Sequence, residues 1–508
     1  MGLQTVQTLL PWLSPRPLTV VGAITPPLCY YFALVLLPSF HQSPPETKTF
    51  RSTPLAVCIL RSVLAFWSFF TFLTLPFRYY VPVSSALTYQ LGLIGWFGAG
   101  RVFELFVLVP LVPLRLPRHM RYQSDSPPVS PTYSSSLADT SNPLARTFKD
   151  MDAEPEAAGK PAVIGCWERA IWALDLMTAM RGVGWDWATA DVRHTPLRWH
   201  PSAATQLYRL IRSLLPTLFL SLAGLRYLHP KPSQSLFDLP ILEQATFVAC
   251  LGIALYTLFD TSYTIMALLA GVVIPHMNLR NRKTIYNSLL SFPPLYTHAL
   301  LEVCSLRDWW SRGWHRLFAR YFLVYGVWPG HIVALAIMRI FRPVLPPGTM
   351  LTNSKSADSP PHKPRFDTHP YPRRTTTLLP PSSRPTCSGG EWGKVLGAFA
   401  ISGVVHSIGE RNALVHFTRT GWTYAGEFWF FVLNGVGVII EEGVRRAVKK
   451  MREDKGGNRG KDRWYDGYVG KLWTLTVLLA TGTLFADGWL KSGITWEITG
   501  GNIWSQVL

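Results

Sequence analysis

A chain of 508 residues with only 16% charged and 13% aromatic side chains, including 20 Trp, is not a string of soluble domains, in which charged residues run near ~25%. Apolar stretches of about 20 residues recur, each long enough to cross roughly 30 Å of hydrocarbon as a helix. They lack the alternation of an outer-membrane barrel, so the expected fold is an all-α polytopic integral membrane protein with about eight to eleven transmembrane or re-entrant helices. The net charge of +19 lies between those stretches and accompanies no nucleic-acid motif, which assigns it to an anionic membrane surface and excludes nucleic acid as partner.

In chain order, residues 1–121 form the N-terminal transmembrane part. Its first span, Pro17 to Pro38, is expected to bend or break at Pro26-Pro27. Leu55 to Phe77 is the second. Val83 to Leu114 is either one long tilted span or two half-spans, and its Arg101 and Glu104 stand close enough to pair on one helix face. Arg115, Arg118 and Arg121 then mark a cytoplasmic end. Residues 122–165, rich in Ser, Pro, Asp and Glu, read as a disordered cytoplasmic linker.

Residues 166–341 are the first part of the core. From Cys166 to Met180, Trp167, Ile171, Leu174 and Met177 recur at the spacing of an interfacial amphipathic helix. The turn-prone Arg181-Gly-Val-Gly-Trp-Asp-Trp187 follows, its two Trp suited to the headgroup level. Tyr208 to Leu228 is a span. Ile241 to Pro275 is a steeply tilted helix or two segments, and Asp260 at its centre either lines a polar cavity or bonds local hydroxyls. Residues 276–320 are basic and face the cytoplasm or its interface. Phe322 to Phe341 is flanked by positive charge on both sides, so it is expected to enter and return, with Pro329-Gly330 as its turn.

Residues 342–390 hold 11 Pro between positions 343 and 385 and read as a second disordered loop. Residues 391–508 are the second part of the core: a span from Trp392 to Ile408 carrying His406, a short span from Phe428 to Ile440, a charged cytoplasmic stretch at 442–471, and a last span from Leu472 to Leu490. The six Cys, at 29, 58, 166, 250, 304 and 387, show no CxxC or zinc spacing and are expected to be free thiols.

Chemistry concentrates at two histidines. An imidazole in a lipid-embedded helix is expensive unless it has a task or a backbone partner. On the helical face of His406 lie Phe399, Ser402, Gly403, Gly409 and Glu410. The small residues leave room for a substrate or for a neighbouring helix, and Glu410 either orients the ring or sits at the interface. A His near neutrality can take the proton from a hydroxyl that attacks a thioester. His315 closes a basic segment with Asp308, Ser311 and Arg312 on its face and Trp310 and Trp314 beside it. Such residues either anchor a helix at the interface or hold the phosphates of an acyl-coenzyme A.

The run Ser305-x-Arg307-x-Trp309-Trp310-x-x-x-Trp314-His315 resembles the S-x-R-x-F-W-G-x-x-W-H signature of the wax synthase-like branch of membrane-bound O-acyltransferases. Arg181-Gly-Val-Gly-Trp185 resembles that branch's R-G-I-G-W element, and Ser402-Gly403-Val-Val-His406 stands where the family places its intramembrane histidine. Trp309 and Ser311 depart from the usual Phe and Gly. The resemblance, over roughly residues 166 to 490, implies an endomembrane acyl-CoA:alcohol O-acyltransferase, of the endoplasmic reticulum or a related membrane. By the same resemblance His406 is the general base and His315 positions the thioester. Arg307 and Arg312 would contact coenzyme A, and Trp310, Trp314, Ser402 and Gly403 complete the substrate-binding set. It implies no metal or tightly bound cofactor, acetyl-CoA as co-substrate, and a lipophilic alcohol, such as a terpenoid, as acceptor. A long-chain wax ester or sterol ester synthase is the alternative within that class. From another class, a transporter would use Arg101, Glu104, Asp260 and His406 to line its path, and inverted repeats would support it.

Overall fold

The computed structural model describes residues 15–37, 54–111, 166–183, 185, 202–230, 234–273, 289, 292–296, 302–314, 316–341, 390–417, 425–454 and 465–500. The linker at 122–165 and residues 342–389 of the Pro-rich loop lie outside the described residues. Apart from a two-residue parallel pairing of Arg16–Pro17 with Tyr79–Tyr80, the regular structure there is helical. In chain order the helices are α1 (Val20–Val35), α2 (Leu55–Arg78), α3 (Ser85–Leu111), α4 (Cys166–Thr178), α5 (203–227) and α6 (Ile241–Val273). They continue with the short α7 (306–313), α8 (Ala319–Ile340), α9 (Glu391–Phe417), α10 (Gly426–Asp454), α11 (Asp466–Lys491) and the short α12 (Ile494–Ile498). Helices α2, α3, α6, α8 and α11 are long and apolar enough to cross a membrane. The chain is an all-α polytopic membrane protein. The described cysteines, 29, 58, 166, 250 and 304, are free thiols.

Proline shapes several helices without breaking them. In α3, α5 and α8 a π-helical turn, at 104–108, 210–214 and 323–327, ends two residues before Pro110, Pro216 and Pro329. Proline offers no N–H to the carbonyl four residues back and its ring crowds that carbonyl. Widening the preceding turn moves the carbonyl aside and lets the helix run on. Pro26 and Pro27 likewise lie inside a continuous α1, and Val83–Leu114 and Ile241–Pro275 each resolve to one helix over their described residues.

Helix α3 is the hub. Its glycines face three neighbours: a Cβ on Gly92 would lie 2.6 Å from Gly409 Cα of α9, one on Gly98 2.5 Å from Phe72 of α2, and one on Gly100 2.3 Å from Tyr321 of α8. Such contacts need a bare backbone, as expected where helices associate in lipid. The anticipated pair forms, with Arg101 2.9 Å from Glu104, and Arg320 of α8 adds a second cation 2.5 Å from the same carboxylate. Asp260, at the centre of α6, is ion-paired with Arg209 of α5.

Helices α8 and α9 pack antiparallel through glycine: Gly326 meets Gly397 and Gly330 meets Gly393. Helices α9 and α10 are also antiparallel, with Gly403 at Phe428 and Phe399 at Gly435. These contacts form a depth scale. Leu306 donates its N–H to Glu441 at 2.7 Å, which by the Phe399–Gly435 register lies near Gly393. Trp310 lies deeper, its ring 5.5 Å from Phe399, and the chain returns past Gly397 at Gly326 and Gly393 at Gly330. The stretch 322–341 does not itself enter and return, contrary to the expectation from charge on both flanks: but for Phe341 it lies in one continuous helix, Ala319–Ile340, long and apolar enough to cross a membrane, and the chain turns back before it. The reversal falls between Trp310 and Gly326, and Pro329-Gly330 is inside the returning helix.

Other expectations shift. The short span expected at Phe428–Ile440 is longer, since the charged residues 442–454 continue α10, supported by i,i+4 pairs Glu441–Arg445 at 3.0 Å and Glu442–Arg446 at 2.9 Å. Trp185 is not lipid- or solvent-facing but fully buried against Trp172, and Arg181 of the same turn donates to Pro293 O and Pro294 O, each at 2.9 Å, while Trp187 lies outside the described residues. On α4, Trp167, Ile171 and Leu174 stay exposed while Ala173 and Leu176 pack inward, as an interfacial helix requires.

Candidate active site

His406 stands at the middle of α9, where α3, α10 and α11 converge. Its Nδ1 is 2.8 Å from the Tyr89 hydroxyl and 3.2 Å from Glu427 Oε2. The Tyr89 hydroxyl donates to Glu427 Oε2 at 2.6 Å, and Trp489 Nε1 donates to Glu427 Oε1 at 2.8 Å. Each donor comes from a different helix: Tyr89 from α3, Trp489 from α11. With the Tyr89 proton committed to Glu427, the chain of bonds closes when Nδ1 carries the imidazole proton and donates to Tyr89 and Glu427. That tautomer leaves the Nε2 lone pair available. Glu427 is wholly buried, while the His406 side chain keeps 23% of its surface exposed, so the ring is held on one edge and reachable on the other.

Aromatic rings wall the imidazole. Phe431 lies 4.6 Å from it and Phe485 6.0 Å, centroid to centroid. Phe431 in turn packs 5.7 Å from Trp310, so the Trp-rich segment reaches the His406 site through one ring. Trp310 is fixed there by Asn434, which accepts from its indole N–H at 3.1 Å and donates to Thr481 of α11 at 2.9 Å.

The other anticipated residues separate by role. His315 lies outside the described residues. Ser305 caps α7 by accepting from Asp308 N at 2.9 Å. Arg307 is largely exposed and 3.4 Å from Glu442; Arg312 is half-exposed and 3.5 Å from Asp308. Trp314 packs 6.2 Å from Trp310 and extends the aromatic group to Trp309 at 5.7 Å and Tyr256 at 6.4 Å. Ser402 is buried one turn before His406. The space beside Gly403 is taken by Phe428, whose Cα and carbonyl would lie 3.0 Å from an added Cβ, so this glycine serves helix contact.

The residues that orient His406 were not anticipated. Glu410 had been the candidate; its Oε2 instead accepts a 3.4 Å bond from the Glu427 backbone. Glu427 carried a usable signal, since a carboxylate opening the apolar run Phe428-Trp-Phe-Phe431 must be matched by donors. Tyr89 and Trp489 carried none, being aromatic residues in apolar spans.

No family model matches the chain. A protein named Acetyltransferase ple2, from Rhodocybe pseudopiperita, is 23% identical over 308 residues, which are 61% of this chain and 63% of that protein. The chain thus aligns with somewhat under two thirds of that relative's length.

Proposed function

We propose that this chain is a membrane-bound acyl-CoA-dependent O-acyltransferase of the wax synthase-like branch of membrane-bound O-acyltransferases, residing in the endoplasmic reticulum or a related membrane. The observation that carries the reading is the held imidazole: Nδ1 fixed by Tyr89 and Glu427, Nε2 open, in an aromatic wall. The relationship to a protein named acetyltransferase favours acetyl-CoA as donor. The Phe431 and Phe485 rings favour a lipophilic alcohol such as a terpenoid as acceptor.

In this mechanism His406 Nε2 takes the proton from the acceptor hydroxyl as its oxygen bonds to the thioester carbonyl carbon. The tetrahedral intermediate collapses with cleavage of the C–S bond. The coenzyme A thiolate leaves and takes the proton back from the imidazolium. Glu427 supplies the counter-charge while the imidazolium exists, and Tyr89 keeps the ring from rotating. His315, by the motif it closes, positions the thioester. A conduction path is disfavoured because Arg101 pairs with Glu104 on α3, Glu104 also with Arg320 of α8, and Asp260 with Arg209 of α5, so these charges are matched within the helix packing.

The test is incubation of microsomes bearing the protein with labelled acetyl-CoA and long-chain acyl-CoA across a panel of alcohols. Acetyl transfer to a lipophilic alcohol is expected, and His406→Ala should lower it about 10²–10⁴-fold without loss of the inserted protein. Transfer from long-chain donors only would move the assignment to wax or sterol ester synthesis; near wild-type turnover in His406→Ala would remove the base.

A further inference from the structure

The geometry points to Arg445 and Arg446, on the extension of α10, as the site that takes the phosphates of the acyl-CoA, with Arg307 opposite; this rests on the acyltransferase reading above. Helix α10 presents one face along its length. Phe431, beside the His406 ring, is followed on that face by Asn434, which holds Trp310, then Val438, then Glu441, which holds the backbone of Leu306, then Arg445. Spacings of three and four residues keep these side chains in line. The face thus runs from the proposed base, along the Trp-rich segment, to a group of cations.

Helix rise makes α10 a ruler. From Phe431 to Glu441 and Glu442 is ten to eleven residues, or about 15–16 Å at ~1.5 Å each. Side chains on a helix lean toward its N-terminus, and Arg445 and Arg446 do so, their guanidinium groups lying 3.0 and 2.9 Å from Glu441 and Glu442 one turn back. The positive charge therefore sits at the level of those carboxylates. In coenzyme A the sulfur is separated from the first phosphorus by 13 bonds of pantetheine arm, which at the backbone's ~3.3–3.6 Å per three bonds extends to roughly 15 Å. A thioester at His406 places its diphosphate at the Glu441–Arg446 level.

The charge fits. Arg307, Arg445 and Arg446 outnumber Glu441 and Glu442, and the next turn adds exposed Lys449 and Lys450. Each of the three arginine side chains is about half exposed or more, at 64%, 55% and 49%, so their forks can turn from a carboxylate to a bidentate phosphate. An anionic lipid headgroup offers the same phosphate chemistry, and the experiment separates the two sources.

Wild type and the variants Arg445→Gln, Arg446→Gln and their double are assayed with acetyl-CoA and with S-acetylpantetheine, which keeps the arm and lacks the phosphates. The readout is the ratio of kcat/KM between the two donors, which loss of folded protein leaves unchanged because both donors fall alike. The wild type should prefer acetyl-CoA, and the double variant should shrink that preference roughly tenfold, the product of two solvent-screened ion contacts. An unchanged ratio in all three variants overturns the assignment. If their rates instead track the anionic-lipid content of reconstituted vesicles at constant ratio, the cations serve headgroups and the assignment also falls. A wild type inactive with both donors would defeat the acyltransferase reading itself.

Discussion

Glu427 is the residue on which the site turns. Its carboxylate is buried and accepts from Tyr89 and Trp489, and it faces the Nδ1 edge of His406. Replacing it with Gln keeps the volume but puts an amide donor where an acceptor stood, which favours the imidazole tautomer with its proton on Nε2, the wrong atom for a base. Glu427→Gln is expected to lower kcat by about 10²–10⁴-fold with KM for both substrates nearly unchanged; a kcat near wild type would show that His406 needs no orienter. Tyr89→Phe removes the hydroxyl that bonds both His406 Nδ1 and Glu427, and should lower kcat about tenfold, equivalent to about 1.4 kcal/mol. His406 was legible in the sequence because a polar ring in an apolar run stands out. Its orienters were not, because Tyr89 and Trp489 are ordinary span residues until the fold brings three helices to one point.

At the scale of elements, glycine sets how near the helices come. An added Cβ at Gly397 would fall 2.1 Å from the Gly326 carbonyl oxygen, a rigid backbone atom that cannot move without parting α8 from α9. Gly397→Val is therefore expected to destabilise the protein by about 1–3 kcal/mol or more, read as a lowered Tm in detergent. Gly252 and Gly443 are also helical, yet nothing lies within 4 Å of a Cβ at either. Alanine there should leave Tm unchanged or raise it, since helical alanine is favoured over glycine by about 1 kcal/mol. Equal losses at all three positions would mean that contact with a neighbouring helix does not explain the effect. Hydropathy located the spans well: Leu55–Arg78 and Asp466–Lys491 each begin and end within about six residues of the apolar runs that announced them. It misjudged prolines, since a local pattern shows the missing N–H but not the widened turn before it. It also missed the helical end of α10, where ion pairs replace apolar character.

For the whole molecule, the packing moves the reversal from Pro329-Gly330, where the charge pattern put it, to the chain between Trp310 and Gly326. Charge on both sides of the apolar stretch at 322–341 places both flanks on one side of the membrane. The packing places at one end of the bundle the chain before Leu306 and the end of α8. Cys304 precedes the turn that docks on Glu441, and its carbonyl oxygen lies where a Cβ on Gly470 would sit, near the start of α11. At the other flank, His331 is 3.2 Å from the Gly390 carbonyl oxygen, beside the start of α9. The starts of α9 and α11 lie at the same end of the bundle, because α10 runs antiparallel to both: Phe399 meets Gly435 and Thr481 meets Asn434. Residues 302–305 and the end of α8 therefore lie at the same end. Two native cysteines report on this, exposed Cys304 before the excursion and Cys387 just ahead of α9. With Cys29, Cys58, Cys166 and Cys250 changed to Ser, a membrane-impermeant maleimide added outside sealed microsomes should label both remaining thiols, and by the positive-inside rule that side is the cytoplasmic one. Labelling of both only after the vesicles are opened would keep the hairpin and invert its orientation. Labelling of one from outside and of the other only after opening would mean that the segment crosses once, and would overturn the reversal between Trp310 and Gly326 together with the common end assigned to α9 and α11.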